Sequence, residues 1–220
     1  MTRPVAVLRP EPGNAATAAR ADALGLQVIR LPLFAVTPVA WVVPDASAYD
    51  ALILTSANAL RHGGEGLTGL RTLPVFAVGD RTAEAARAAG FDVMTTGIAD
   101  LAALLALAEA RGIARALHLA GRDRAPGESA VIRRAITVYE SNAIAIAPDA
   151  IGALEGSVAL LHSARAARRL AALIHNRKTI RIAALSEAVI DAAGQGWAGQ
   201  AVAARPDDDA LLAAARTLAD

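Results

Sequence analysis

The sequence predicts an α/β protein of two similar lobes, each a parallel sheet covered by helices on both faces, with a cleft between the lobes. Three observations predict it. Short apolar runs alternate with Ala-rich amphipathic segments along the chain, and strands that alternate with helices pair in parallel and are buried on both sides. Two strand–turn–helix units recur at one constant spacing. The 220 residues also suffice for two separate cores of about 100 residues each.

The elements follow in order. Val5 to Leu8 reads as a buried strand, and Ala15 to Leu24 as a helix stopped by Gly25. Gln27 to Val36 reads as a strand, but Pro32 inside it cannot donate to a ladder, so this segment leaves the sheet or lies at an edge. Ala51 to Leu54 is a strand that opens into a helix after Thr55-Ser56, and Val75 to Val78 turns through Gly79 into a helix that Gly90 ends. Leu101 to Ala110 is helical, and Ala116 to Leu119 and Ile136 to Tyr139 are strands, which places Tyr139 at a strand end. The pattern continues with strand Val158 to Leu161, a helix from Ala164, strand Ile180 to Leu185 and helix Ala188 to Ala193. Strand Gln200 to Ala203 and a last helix from Asp208 complete it.

The repeat is the strongest internal signal. LILTSANAL, with Ser56, aligns with ALLHSARAA, with Ser163; at the same spacing VFAVGDRTAEAARAAGF, from Val75, aligns with IAALSEAVIDAAGQGWA, from Ile182, so that Gly79 faces Ser186. TTGIADLAALLAL beside ARPDDDALLAAA is a weaker match, and AVLRP has an echo in LHLAG. Duplication implies two lobes, and in open α/β lobes ligands collect at the carboxyl ends of the strands.

Composition narrows the function. Hydrophobic residues are 55% of the chain and aromatics only 3%, so Ala, Val, Leu and Ile must build the core. A net charge of +1 supplies no field for nucleic acid or membrane. All but one of the 22 basic residues are arginine, Lys178 being the exception; their forked donors suit carboxylates and phosphates. The absence of cysteine excludes disulfides, thiolate metal sites and a cysteine nucleophile. His62, His118, His162 and His175 form no metal signature, and no GxGxxG or phosphate-loop lysine points to a nucleotide. The Asp207-Asp208-Asp209 run reads as the charge cluster of a helix N-terminus. The opening apolar run is too short for a signal peptide, and nothing approaches a bilayer-spanning length, so a cytoplasmic location is expected.

AVLRPEPGNAATAARADALGL, DALILTSANALRHG, LPVFAVGDRTAEAARAAGF, ALHLAGRDR, ITVYES and ALLHSARAARRL resemble, in this order and over nearly the whole chain, the successive blocks of the uroporphyrinogen-III synthases. The resemblance implies two flavodoxin-like three-layer lobes, with the chain crossing between them twice. Residues 1–36 with 146–220 would form one lobe, and 37–145 the other with the connecting strands. It also implies a monomeric lyase of haem biosynthesis that cyclises hydroxymethylbilane, loses water, inverts the last pyrrole ring, and uses no metal, flavin or nucleotide.

Hydroxymethylbilane carries eight carboxylates, which helix N-termini suit. Thr55, Ser56 and Asn58, then Gly79 and Thr82, then Ser163 would present such termini. Each hydroxyl there is either an ordinary N-cap or a ligand contact, and both hold where the cap leaves neighbouring amides unpaired. Arg9 and Arg122 follow the first strands of the two repeats and would grip acetate or propionate groups, or else form surface ion pairs. Arg81 and Arg165 are weaker candidates. Tyr139 matches the family's functionally implicated tyrosine, where its phenol would hydrogen-bond the departing hydroxyl; a partly buried structural tyrosine is the other reading. Two departures stand out. Ser186-Glu187-Ala188-Val189 lacks the hydroxyls expected at Ala188 and Val189, and the stretch from Arg122 to Ile136, broken by Pro126-Gly127, is short for the family's helix. They motivate a rival reading, a two-lobed module that binds tetrapyrrole precursors or another polyanion without turnover.

Overall fold

The computed structural model describes residues 2–97, 100–123 and 130–220; Pro126-Gly127 lies outside them. In chain order the elements are β1 (Val5–Val7), α1 (Gly13–Ala23), β2 (Val28–Arg30), β3 (Phe34–Pro38), β4 (Ala51–Leu54), α2 (Asn58–His62), β5 (Val75–Val78), α3 (Asp80–Ala88), β6 (Val93–Gly97), α4 (Leu101–Ala110), β7 (Ala116–Gly121) and β8 (Ile132–Ala143). They continue with α5 (Pro148–Gly152), β9 (Val158–Leu161), α6 (Ala164–Leu173), β10 (Arg181–Ala184), α7 (Glu187–Ala193), β11 (Gly199–Val202) and α8 (Asp208–Ala219).

The chain divides into two compact units. Met1–Ala35 with Ala143–Asp220 form the first, and Val36–Asn142 the second. Passage between the units falls within β3 and β8, which are neighbours in one sheet. The first unit's sheet has the order β2-β1-β9-β10-β11 and the second contains β8-β7-β4-β5-β6 with β3 beyond β8. Both five-strand sets are parallel throughout. Ranked by position, each is the flavodoxin-like 2-1-3-4-5 arrangement, entered at a different strand. β4 therefore occupies the slot of β9, β5 that of β10 and β7 that of β1, so the sequence repeat and the LHLAG echo are repeats of place as well as of pattern.

Side-chain alternation along these strands builds a core on each face. In the first unit Ala6, Leu8, Ala159 and Leu161 face α6 and α7, whose Ala167, Leu170 and Ile190 meet them. Val5, Val7, Val158 and Leu160 face α1 and α8 through Ala21, Leu211 and Ala215. In the second unit Leu52, Leu54 and Leu119 pack under α2 and α3, while Ile53 and Phe76 pack under Leu104 and Ala108 of α4. Each large aliphatic side chain withdrawn from water contributes about 1.5–3 kcal/mol, which is how a chain so poor in aromatics holds two sheets.

Several expectations change. The segment Gln27 to Val36 is two strands broken at Pro32: Leu31 and Leu33 donate to the carbonyls of Val7 and Leu8. The chain then leaves β2, an edge strand, and enters the other sheet as β3. The strand Val93–Gly97, absent from the sequence reading, is polar and half-buried at the far edge of its sheet. Tyr139 does not end its strand; β8 continues to Ala143 because its C-terminal part carries the chain back to the first unit.

Candidate functional site

In a 2-1-3-4-5 sheet the strand order reverses between positions 1 and 3, and the loops leaving those two strands diverge to open a crevice. In the first unit that point lies between β1 and β9, so it is flanked by Arg9 on one side and by His162 and Ser163 on the other. Ser163 is the N-cap of α6; its Oγ accepts from the amide of Ala166 at 3.2 Å, and its carbonyl accepts from Ala167. Arg9 lies across Gly13, where a Cβ would come within 2.5 Å of its Nε. Its Nη1 donates to both carboxylate oxygens of Asp208, at 2.9 and 3.2 Å, and to the Thr17 hydroxyl at 3.3 Å.

Asp208 is the centre of this arrangement. Besides Arg9 it receives the Thr17 hydroxyl at 2.9 Å, an Arg20 Nη1 at 2.7 Å and His162 Nε2 at 3.2 Å. Only 5% of the residue is exposed. Burial alone would push the carboxyl up, but the hydrogen bonds from His162 and Thr17 and the Arg9 charge outweigh it and hold the group far below the usual carboxylate range. Asn14 braces the same loop, donating to the carbonyls of Val7 and Arg9 while its oxygen accepts from Arg30. The triple-Asp run is therefore more than a helix-end charge cluster. Asp207 caps α8 by accepting from Ala210, Asp209 faces solvent, and Asp208 points into the fold. A sequence signal for this existed: Asp208 shares the buried stripe of α8 with Leu211, Leu212 and Ala215, and a carboxylate on a core-facing stripe demands a cation.

The equivalent point of the second unit lies between β7 and β4. Thr55 leaves β4 and its Oγ1 is 3.3 Å from Nε2 of His118, a buried residue of β7, so this contact bridges the two strands. The Ser56 Oγ accepts from the Asn58 amide at 3.2 Å, and Asn58 accepts from Arg61. Because α2 has only five residues, its start offers local amides rather than a summed dipole. On the β7 side Gly121 is in register with Tyr139. The phenol ring lies so close over it that a Cβ there would stand 2.7 Å from two ring carbons and 2.9 Å from the hydroxyl oxygen. Tyr139 is thus interior to its own strand yet level with the carboxyl end of β7. The His62 ring lies 6.3 Å away, its pKa pushed down by burial and then by the Arg61 charge. Arg122 is largely exposed and pairs with Glu140 at 2.6 Å.

Gly79 begins α3 at φ +75°, a conformation that suits glycine, whereas its repeat partner Ser186 begins α7 at φ −161°. Thr82 is buried in the first turn of α3, and Val189, its counterpart, is buried against the first unit's core. The missing hydroxyl at 189 thus falls on a packing position, where Val and Thr have the same shape; Ala188 is exposed. Arg165 stacks on Phe34, 4.4 Å from the ring centroid. The geometry thus joins Ser163 and Arg9 in one unit, and Thr55, Ser56, Tyr139 and Arg122 in the other, around equivalent strand ends. Gly79 and Thr82 stand one strand further along. Sequence reasoning missed Thr17, His118, Gly121 and Asp208. Among the described residues no three His, Asp or Glu side chains form a group able to hold a metal ion, and no helix is long and apolar enough to cross a membrane.

These features define a class: α/β proteins of two doubly wound parallel units, with polar strand-end turns at equivalent switch points. Solved structures place it more narrowly. Uroporphyrinogen-III synthetase from Helicobacter pylori matches with a TM-score of 0.69 at 18% identity, over 99% of this chain and 100% of that one. A mutant uroporphyrinogen III synthase from the extremely thermophilic bacterium Thermus thermophilus matches at 0.54 and 17%, over 99% of each chain. At such identities the likeness establishes the fold. The family model described as "Uroporphyrinogen-III synthase HemD" matches residues 15–213, and the chain belongs to the uroporphyrinogen-III synthase family, lyases of haem biosynthesis. No curated protein matches the chain.

Proposed function

We propose that the protein converts hydroxymethylbilane to uroporphyrinogen III, and that Arg9, Arg122 and the strand-end turns at Thr55-Ser56-Asn58, Gly79-Thr82 and Ser163 receive the substrate's carboxylates. The observation that carries this reading is the family match over residues 15–213, reinforced by the matching polar turns at the switch point of each unit.

The chemistry makes no single side chain indispensable. The hydroxymethyl C–O bond breaks as its oxygen takes up a proton and leaves as water, and the pyrrole nitrogen's electrons form a cationic azafulvene; a proton is given back when the free α-carbon that finally closes the ring loses its hydrogen. Attack on it by the substituted carbon of the terminal ring forms a spiro intermediate, which fragments and recloses with that ring inverted. The Tyr139 phenol hydrogen-bonds the departing oxygen. An unassisted chain closes without inversion, so the protein's task is to make the spiro approach the shorter one. Holding reacting groups in place is a sufficient cause, since oriented intramolecular reactions gain about 7–11 kcal/mol. The cationic azafulvene is supported by the substrate's own carboxylates and by fixed dipoles. Because the substrate supplies its own electron push, the mechanism requires no metal, flavin or nucleotide. We further propose that the enzyme acts as a monomer in the cytoplasm.

The test supplies enzymatically generated hydroxymethylbilane to purified protein and resolves the uroporphyrin isomers after oxidation. Isomer III is expected. Isomer I alone, at the blank rate, would defeat the proposal, and tight calorimetric binding of the substrate without isomer III would mark a binding module instead.

A further inference from the structure

We propose that Asp208 is a positioning residue of this site: a buried carboxylate that sets Arg9 and the His162–Ser163 turn in the geometry that receives a substrate carboxylate. The inference deepens the reading above and rests on it.

Asp208 is reached from three directions. Arg9 comes from the carboxyl end of β1, His162 from the carboxyl end of β9, and Thr17 and Arg20 from α1. The first two flank the switch point, which is where this class of sheet binds ligands, so one carboxylate ties together both walls of the crevice. Its hold on each is specific. On Arg9 it engages Nη1 with both oxygens while Gly13 leaves room for the guanidinium stem. On His162 it sets the ring, because Nδ1 is buried and has no hydrogen-bond partner among the described residues; the contact to Asp208 is what fixes its rotation. Ser163 follows directly and begins α6. Its shortest contact, 2.7 Å, is to Arg20 of α1, and a carboxylate whose only task was to hold α8 against α1 would not need the further contacts to Arg9 and His162 on the two strand ends. Asp208 itself is too enclosed to touch a ligand. It would repel a carboxylate if it did, so its influence passes through Arg9 and His162.

The experiment compares Asp208→Asn with Asp209→Asn, which removes the same charge from the same helix end at a side chain that is 83% exposed. KM and kcat for hydroxymethylbilane and the isomer III to isomer I ratio are measured on protein shown to be folded by circular dichroism. Asp208→Asn is expected to raise KM about tenfold with kcat within about threefold, and to increase isomer I, while Asp209→Asn stays within about twofold of the parent. Arg9→Gln combined with Asp208→Asn is expected to be no worse than Arg9→Gln alone, since a residue acting through Arg9 has nothing left to act on. Additive losses in that cycle, or an unchanged KM in Asp208→Asn, would overturn the inference. Thr17→Val, which removes the hydroxyl that donates to Asp208, carries the same test with an expected rise in KM of about threefold should Asp208→Asn not fold. Calorimetric binding of uroporphyrin, an eight-carboxylate porphyrin, separates this inference from the reading beneath it. Absence of isomer III from the parent protein defeats the enzymatic reading, whereas equal uroporphyrin affinity in parent and Asp208→Asn defeats the role of Asp208 whatever the turnover.

Discussion

Gly121→Ala is the most informative single substitution at the Tyr139 end of the site. The new methyl carbon would stand 2.7 Å from Cε2 and Cζ of Tyr139 and 2.9 Å from its hydroxyl oxygen, where carbon atoms in contact keep about 3.5–4.0 Å. The ring must therefore withdraw by about 1 Å. Its stability cost is small, because the obstructed atoms are the far end of one half-buried side chain. Overpacking of about 1–3 kcal/mol is offset in part by the roughly 0.4–1 kcal/mol gained when a glycine with ordinary φ becomes alanine. The catalytic cost is larger: a misplacement of that size lowers turnover on the order of 100-fold where the displaced group acts in the reaction. The assay follows the rate of isomer III formation and the isomer I to III ratio in Gly121→Ala, Tyr139→Phe and the double variant, with thermal unfolding recorded for each. Tyr139→Phe should fall by a similar factor without unfolding the chain. The double variant should fall little further, because moving a ring that has lost its hydroxyl removes nothing more. A Gly121→Ala enzyme with parental rate and isomer ratio would refute the assignment of the phenol to the departing hydroxyl.

Four further outcomes follow from the same geometry. Arg122→Gln should leave the melting temperature nearly unchanged, since solvent screens an exposed pair such as Arg122–Glu140, while KM rises severalfold if Arg122 grips a carboxylate; unchanged steady-state kinetics would assign it to the surface pair alone. Ser163→Ala removes the N-cap of α6, worth about 1 kcal/mol, and should lower the melting temperature by about 2–4 °C, read by calorimetry. Gly79→Ala meets no atom within 4 Å of the new Cβ, so its expected loss of about 1–3 kcal/mol in urea unfolding comes from the backbone alone, whose φ of +75° with ψ of 152° is a region open essentially to glycine. The fourth concerns pH. Asp208 is held below its ordinary value of 3.8 by His162, Thr17 and Arg9 against the opposing effect of burial, so the unfolded chain binds this proton first as pH falls. The stability from Asp208 is complete above about pH 4 and is lost below it, and Asp208→Asn should flatten that acid limb of the melting curve. His62, pushed below 6.5 by burial and Arg61, acts in a higher window. Its unfolded form takes up a proton just below pH 6.5, so stability should decline there on acidification, and His62→Gln should remove that decline.

The strand–turn–helix alternation was legible because the strands β1, β4, β5 and β9 are apolar throughout and turn residues follow them. β9 and α4 fall on the residues read from the chain, and α8 begins at Asp208 as expected. The polar strand β6 was not legible, since a half-buried edge strand need not be apolar. The reach of β8 beyond Tyr139 was hidden for another reason: its last residues serve the passage between units rather than a core. For the site, the repeat placed Ser56 and Ser163 at equivalent turns, and the structure puts both beside a switch point. The Asp207-Asp208-Asp209 run does start α8 as its charges indicated, but the core-facing role of Asp208 lies in the helical stripe it shares with Leu211 and Leu212 and not in the run itself.

Local chemistry along the chain therefore settled which residues are strands, which are helices, where glycine and serine start the turns, and that one pattern occurs twice. That information is carried by neighbours a few positions apart, through burial, capping and backbone freedom. Long-range pairing decided the rest. Only the folded chain brings Arg9 to Asp208, 199 residues away, lays Tyr139 over Gly121, and enters the same 2-1-3-4-5 sheet at a different strand in each unit. These arrangements depend on which strand edges meet, and an apolar strand that is buried on both faces does not encode its neighbours in its own residues.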